Sequence, residues 1–209
     1  MKRRINTEKI MQILNPRFYH MNRKQYKEII KFDYCFNAKF RECDILPRAF
    51  LKGYEWKYIR YYRKFQCNSN NIWGLLYDRK LKYLERKTGI SMEGNLSIGK
   101  GLIIGHWGKI VINGKVQFGS RLFITHGVTI GRDIRGKRQG VPTFGDRVCI
   151  RANATVVGNI HIGNDVLIAP NSFVNFDVPD HSIVIGNPGV IHHRENATEG
   201  HIPEMNLRG

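Results

Sequence analysis

Residues 144–174 read FGDRVCIRANATVVGNIHIGNDVLIAPNSFV, and their large apolar residues recur at a fixed interval. Stepping by six from Phe144 gives Ile150, Val156, Ile162, Ile168 and Val174 without a miss. Upstream the same step runs through Ile98, Ile104 and Ile110, slips by two, and continues through Ile112, Phe118, Ile124 and Ile130. Glycine often follows the apolar residue, as in Ile98-Gly99, Phe118-Gly119, Phe144-Gly145 and Ile162-Gly163. This period fits neither a helix, at about 3.6 residues, nor the alternation of a sandwich strand. It predicts a three-sided parallel β-solenoid. Each hexapeptide makes one flat side, the large residue fills a shared core, and small or positive-φ residues turn the corners.

Two places break the register, and a solenoid tends to carry function at such departures. Between Ile130 and Phe144 the gap is fourteen residues, so eight extra residues project as a loop within 131–142, GRDIRGKRQGVP. The slip of two follows immediately on His106 in residues 101–113, GLIIGHWGKIVIN. His106 thus stands at such a departure, and a neutral imidazole is a side chain able to exchange a proton near pH 7. His126, in ITHGVTIG, lies two residues after Ile124 on the next complete coil and is a second candidate for the same cleft.

The 209 residues are 42% hydrophobic, enough for a real core, and the length suggests one compact domain with an appendage. No apolar run approaches the roughly 20 residues of a membrane span, and the first residues, MKRRINTEKIMQI, lack the apolar centre of a signal peptide. A cytoplasmic location is expected. Cys35, Cys43, Cys67 and Cys149 lack metal-ligand spacing and read as free thiols. His161, His181, His192, His193 and His201 form no ligand pattern, so no metal is expected.

Charge and composition change near Gly89. Residues 1–90 hold 22 of the 34 Lys+Arg and 8 of the 17 Asp+Glu, net +14, against +3 for the remainder. Segments 6–14, 23–40 and 72–87 have helix-forming residues and few glycines, with Pro16, Pro47 and Gly53 as breakers. The expected organisation is a basic, mainly α-helical region at 1–90, a β-helix at 91–191 and a C-terminal tail at 192–209. Part of the helical region is expected to cap the open first coil. Capping does not require so much charge. The surplus, interleaved with Tyr54, Trp56, Tyr58, Tyr61 and Tyr62, suggests a landing surface for an anionic membrane face or an acidic glycan, giving a peripheral position at the inner face of the cell membrane. A solvated helical face with buried aromatics accounts for the same pattern. Nucleic acid binding leaves the register breaks and His106 unexplained.

The stretches GLIIGHWGKIVIN, then ITHGVTIGRDIRGKRQGVPTFGDRVCIRANATVVGNIHIGNDVLIAPNSFV, then DVPDHSIVIGNPG, resemble the hexapeptide-repeat acyltransferases. The likeness is to their serine O-acetyltransferase-like branch, and within it to members of capsule and exopolysaccharide biosynthesis. It spans roughly residues 88–190. The resemblance implies a left-handed parallel β-helix, a homotrimer with active sites between neighbouring subunits, and transfer of acetyl from acetyl-CoA to a hydroxyl by direct attack. It assigns the general base to the histidine of GHxG, here His106. It also implies that small residues of the later coils, Ala152, Ala154 and Ala169, let backbone approach the pantetheine, and that Gly186 and Pro188 in GNPG lie near the adenine end. Arg132 and Arg138, with Arg135, Lys137, Arg147 and Arg151, are the cations available for the phosphates.

Departures from serine acetyltransferases steer the acceptor. The aspartate that those enzymes place fifteen residues before the histidine is Ser91 here, and Glu93 is the nearest carboxylate; the aspartate directly before the histidine is Gly105. The Arg-His pair before the loop's closing proline is Gly140 and Val141. Groups that grip an amino acid are therefore missing at these positions. The expectation is O-acetylation of a sugar hydroxyl in a capsular or exopolysaccharide chain or its precursor. The alternatives are a small-molecule O-acetyltransferase, serine included, and a non-enzymatic solenoid scaffold, against which the intact GHWG and loop speak.

Overall fold

The structure is a computed structural model that describes residues 21–92 and 96–205. The predicted helix at 6–14, and Glu93, lie outside the described residues. Among the described residues four helices, α1 (Arg23–Phe40), α2 (Arg48–Lys52), α3 (Tyr54–Asn68) and α4 (Ile72–Thr88), precede fifteen short strands: β1 (Ile90–Met92), β2 (Ser97–Ile98), β3 (Ile103–Ile104), β4 (Ile110–Ile112), β5 (Gln117–Phe118), β6 (Phe123–Ile124), β7 (Thr129–Gly131), β8 (Thr143–Phe144), β9 (Val148–Ile150), β10 (Thr155–Val157), β11 (His161–Ile162), β12 (Val166–Ile168), β13 (Phe173–Val174), β14 (Ser182–Ile185) and β15 (Val190–His193). The strands stack into three parallel sheets, β1-β4-β7-β10-β13, β2-β5-β8-β11 and β3-β6-β9-β12-β14, the last extended by antiparallel β15. This is the expected solenoid with a helical N-terminal region.

The six-residue step is the geometry of its core. Met92, Ile112, Ile130, Val156 and Val174 stack down the first sheet. Ile98, Phe118, Phe144 and Ile162 stack down the second, and Ile104, Ile124, Ile150, Ile168 and Val184 down the third. These residues are almost wholly buried, each contributing roughly 2 kcal/mol of hydrophobic stabilisation. Pairing of Met92 with Ile112 and of Ile104 with Ile124 places the two-residue slip in the turn from Ile104 to Ile112, which carries His106.

The glycine after the apolar residue has a different cause from the one expected. Gly119, Gly145 and Gly163 are not among the positive-φ residues. A Cβ on Gly119 would lie 2.6 Å from the carbonyl oxygen of Gly145, and one on Gly145 2.9 Å from that of Gly163. Successive coils approach too closely there for a side chain. The left-handed conformation falls two residues later, on Gly101, Arg121, Arg147, Asp165 and His181. Between these positions an Asx ladder ties the coils: Ser120 N–H donates to Asp146, Asp146 N–H to Asn164 and Asn164 N–H to Asp180, at 2.7–2.8 Å.

The first coil presents unpaired backbone groups, and side chains of the helices meet them. Tyr58 accepts from Met92 N–H at 3.2 Å; Tyr62 and Gln66 both donate to the Leu96 carbonyl at 2.9 Å. Arg63 donates to the carbonyls of Ile98 and Gly99, each at 2.7 Å, and through Nε to Asp33 at 2.9 Å. The other Asp33 oxygen accepts from Gly101 and Leu102 N–H at 2.7 and 3.1 Å, and Asn37 donates to the Leu102 carbonyl. Asp33 and Arg63 are both fully buried. The apolar interior continues from Trp56, Tyr58, Ile59 and Tyr62 straight into Ile90 and Leu96.

The aromatic landing surface is thereby corrected. Trp56, Tyr58 and Tyr62 are at most 4% exposed, because capping the coil needs an apolar face with polar tips. The described part of the C-terminal tail, residues 192–205, is packed too. Asp165 accepts from Thr198 Oγ1 at 2.6 Å, from Ala197 N–H at 2.8 Å and from Thr198 N–H at 3.1 Å, and Ile202 joins α1's Phe32 and Phe36 over Ile103, Phe123, Cys149 and Leu167 on the outside of the third sheet.

Candidate active site

His106 and His126 occupy the same corner, between the third and first sheets, on successive coils. Their ring centroids are 6.1 Å apart and both are solvent-exposed. The turns carrying them are tied, since Gly127 N–H donates to the Gly108 carbonyl at 2.8 Å and Asn153 N–H to the His126 carbonyl at 3.1 Å. Gly127 has no room for a side chain, its Cβ position lying 1.9 Å from Asn153 Oδ1. Two imidazoles on a stiff edge, open to solvent, can take a proton from an incoming hydroxyl and steer the group it attacks. Ser91 is half-buried in β1.

Sequence reasoning passed over the neighbour of His106. Trp107 is 46% exposed, and Tyr54, at the start of α3, meets its ring edge-on at 5.6 Å. Only the position of Trp107 within GHWG could have flagged it; Tyr54 arrives from 53 residues away in sequence.

The loop at 131–142 is a short hairpin arm. Asp133 and Gly140 exchange backbone hydrogen bonds at 2.9 and 3.0 Å, and Asp133 accepts from Arg135 N–H at 3.1 Å. Arg138 donates to the Asn175 carbonyl, while Arg132, Arg135 and Lys137 are exposed. Arg147 is committed elsewhere: it pairs with Glu204 at 2.7 Å and lies 3.7 Å from Asp165 at the opposite corner. Arg151 stacks over Phe123 at 5.5 Å.

Ala152 and Ala169 are half-buried at the surface, but Ala154 is fully buried. Its methyl group points into the core and its carbonyl accepts from Thr129 N–H at 3.0 Å, so nothing of it meets a ligand. Gly186 N–H donates to Ser172 Oγ at 3.1 Å and Pro188 is exposed in the turn between β14 and β15. Burial pushes the Cys149 thiol up to about 12, which keeps it protonated and unsuited to covalent catalysis. No group of three His, Cys, Asp or Glu side chains gathers to hold a metal among the described residues.

No family model matches the chain. A serine acetyltransferase of Helicobacter pylori is 39% identical over 100 residues, covering 48% of this chain and 58% of the relative. One of Staphylococcus aureus is 39% identical over 125 residues, 56% of this chain and 58% of the relative, and serine acetyltransferase 4 of Arabidopsis thaliana is 39% identical over 100 residues, 28% of its own length. The matched stretches thus span little more than half of the bacterial relatives. Among solved structures, Neisseria gonorrhoeae serine acetyltransferase in complex with serine superposes with a TM-score of 0.66 at 25% identity, over 81% of this chain and 70% of that one. The Vibrio cholerae serine acetyltransferase, at 21% identity and a TM-score of 0.65, supports the fold.

These findings overturn the capsular or exopolysaccharide acceptor. The relatives and neighbours named above are serine acetyltransferases, whose acceptor is a small molecule rather than a polysaccharide. The inference had rested on groups missing at four aligned positions. Such a count leaves out side chains that reach the corner by other routes, as Tyr54 does.

Proposed function

We propose that this chain is an acetyl-CoA-dependent O-acetyltransferase of a small-molecule hydroxyl, with L-serine the first acceptor to test. The observation that carries the reading is the exposed pair His106 and His126, 6.1 Å apart on a rigid corner. His106 takes the proton from the acceptor hydroxyl as its oxygen attacks the thioester carbonyl. The tetrahedral intermediate collapses by breaking the carbon–sulfur bond, and the coenzyme A thiolate takes the proton back from the imidazolium. His126 orients the acceptor or thioester. Arg132, Arg135 and Lys137 supply cations for phosphate, and Ala152 and Ala169 leave backbone accessible to the pantetheine.

A homotrimer belongs to the same reading. The loop leaves the corner between the first and second sheets, whereas the histidines sit between the third and first. One side of the triangle, six residues or roughly 20 Å of extended chain, separates them. A loop that closes over His106 therefore comes from a neighbouring copy.

The test is incubation with acetyl-CoA and a panel of serine, other small alcohols and free amines, following thiol release. Acceptor-dependent release abolished by His106→Ala supports the reading. Release that is the same with and without acceptor, or in the variant, overturns it.

A further inference from the structure

We propose that the outward face of α4, with the groove it forms against α3, docks onto an anionic phospholipid bilayer. The helix packs inward through Gly74, Leu81, Leu84 and Thr88. Its other face leaves Ile72 71%, Trp73 57%, Leu75 51%, Leu76 45% and Tyr83 50% exposed. Five large apolar side chains on one 17-residue helix are an apolar surface that water does not favour. No helix among the described residues is long and apolar enough to cross a membrane, so the surface lies on a bilayer rather than through it.

Charge selects the occupant. The groove, about 650 Å³, is lined by Tyr61, Lys64, Trp73, Leu76, Tyr77 and Lys80. The Lys64 ammonium lies 6.0 Å from the Tyr61 ring and 5.6 Å from that of Tyr77, and burial, then the neighbouring Arg60, pushes its pKa down. A cation held partly out of water between aromatic rings is a ready partner for a phosphate oxygen. Arg79, Lys80, Lys82, Arg86 and Lys87 are exposed along the same helix. Residues 54–88 hold nine Lys+Arg against three Asp+Glu, which sets like charges against each other if a second copy is the occupant. Single-stranded nucleic acid satisfies the cations and stacks on the aromatics, but it offers nothing to Ile72, Leu75 and Leu76, which suit hydrocarbon. A bilayer with anionic headgroups satisfies both sets at once.

The test is co-sedimentation of the full chain with phosphatidylcholine vesicles, with and without phosphatidylglycerol, at low and high salt. The expected result is salt-sensitive binding to the anionic vesicles alone. Arg79→Gln/Lys80→Gln lowers it roughly twenty-five-fold, at about fivefold per cation, and Trp73→Ser/Leu76→Ser lowers it roughly tenfold or more, while both variants keep the parental melting temperature. Undiminished binding by both variants refutes the proposal and assigns any binding to cations elsewhere, those of residues 1–20 included. So does a change of oligomeric state in Trp73→Ser/Leu76→Ser without vesicles, which marks a second copy as the occupant. Preference for a single-stranded oligonucleotide, lost in the same variants, refutes it in favour of nucleic acid.

Discussion

Arg63→Met, alone and with Asp33→Leu, asks whether the buried pair in the cap is an ion pair or a template for the first coil. Methionine keeps most of the aliphatic volume but leaves the Asp33 carboxylate buried without its partner, and breaking such a pair from one side costs about 3–5 kcal/mol. For an isolated buried pair, replacing both members with apolar residues removes the stranded charge and restores most of the loss. Here the pair also serves four backbone groups: the carbonyls of Ile98 and Gly99, and the N–H groups of Gly101 and Leu102. Gly99 is half-buried and its carbonyl can turn to water, whereas the other three residues are buried. At about 1 kcal/mol for each abandoned group, the low end of the range, the double variant stays about 3 kcal/mol below the parent. The measurement is urea unfolding followed by circular dichroism at one chain concentration, because the apparent stability of an oligomer depends on concentration. A double variant within about 1 kcal/mol of the parent refutes the template argument.

Other perturbations reach the site and the coils. His106→Ala is expected to keep the parental circular dichroism and oligomeric state, since the ring is exposed, while turnover falls by about a hundredfold or more in a thiol-release assay. Shortening the arm at 132–139 should raise the Michaelis constant for acetyl-CoA without unravelling the neighbouring coils, read by steady-state kinetics beside a thermal melt. Gly145→Ala is expected to cost about 1–3 kcal/mol, because its Cβ would press on the Gly163 backbone at 2.9 Å. The C-terminal segment should be held most firmly between about pH 4 and 6.5. Burial alone would raise the Asp165 carboxyl, but hydrogen bonds from Thr198, His181 and Ala197 outweigh it and hold the pKa below the ordinary 3.8, so its contribution is present above that value and lost as pH falls through the lowered one. His181, raised from 6.5 by its hydrogen bond to Asp165, contributes fully below 6.5 and loses that contribution as pH rises through its raised value. Amide exchange at Ala197 and Thr198, followed from below to above this range and corrected for the intrinsic pH dependence of exchange, checks both signs.

The solenoid was legible because its core position repeats faster than any loop can obscure it. Phe144 to Val174 name three columns in order, and the slip at His106 survives as a longer turn. The cap was not legible in this way. Arg63, Gln66 and Asp33 meet backbone groups 30 to 69 residues away, a relation that no local period carries. The same remoteness turned YEWKYIRYYRKF into an apparent surface, when four of its six aromatics, Trp56, Tyr58, Tyr62 and Phe65, belong inside. At the candidate site, the register of the coils put His106 and His126 on one corner, while the role proposed for His106 came from the GHxG resemblance. Ala154 was misplaced because a small residue beside a corner reads alike whether it faces the ligand or the core.

The three corners of the triangle differ in what they permit. From the second sheet to the third every coil takes six residues, Ile98 to Ile104, Phe118 to Ile124, Phe144 to Ile150 and Ile162 to Ile168. Stacked glycines and the Asx ladder leave that edge no slack, so a single inserted residue would break contacts on two coils. Both departures, the arm and the histidine turn, stand on the other two edges. The molecule thus has one edge that sets pitch and two on which sequence can be added, and a change of specificity that spares the fold has to be written on those two.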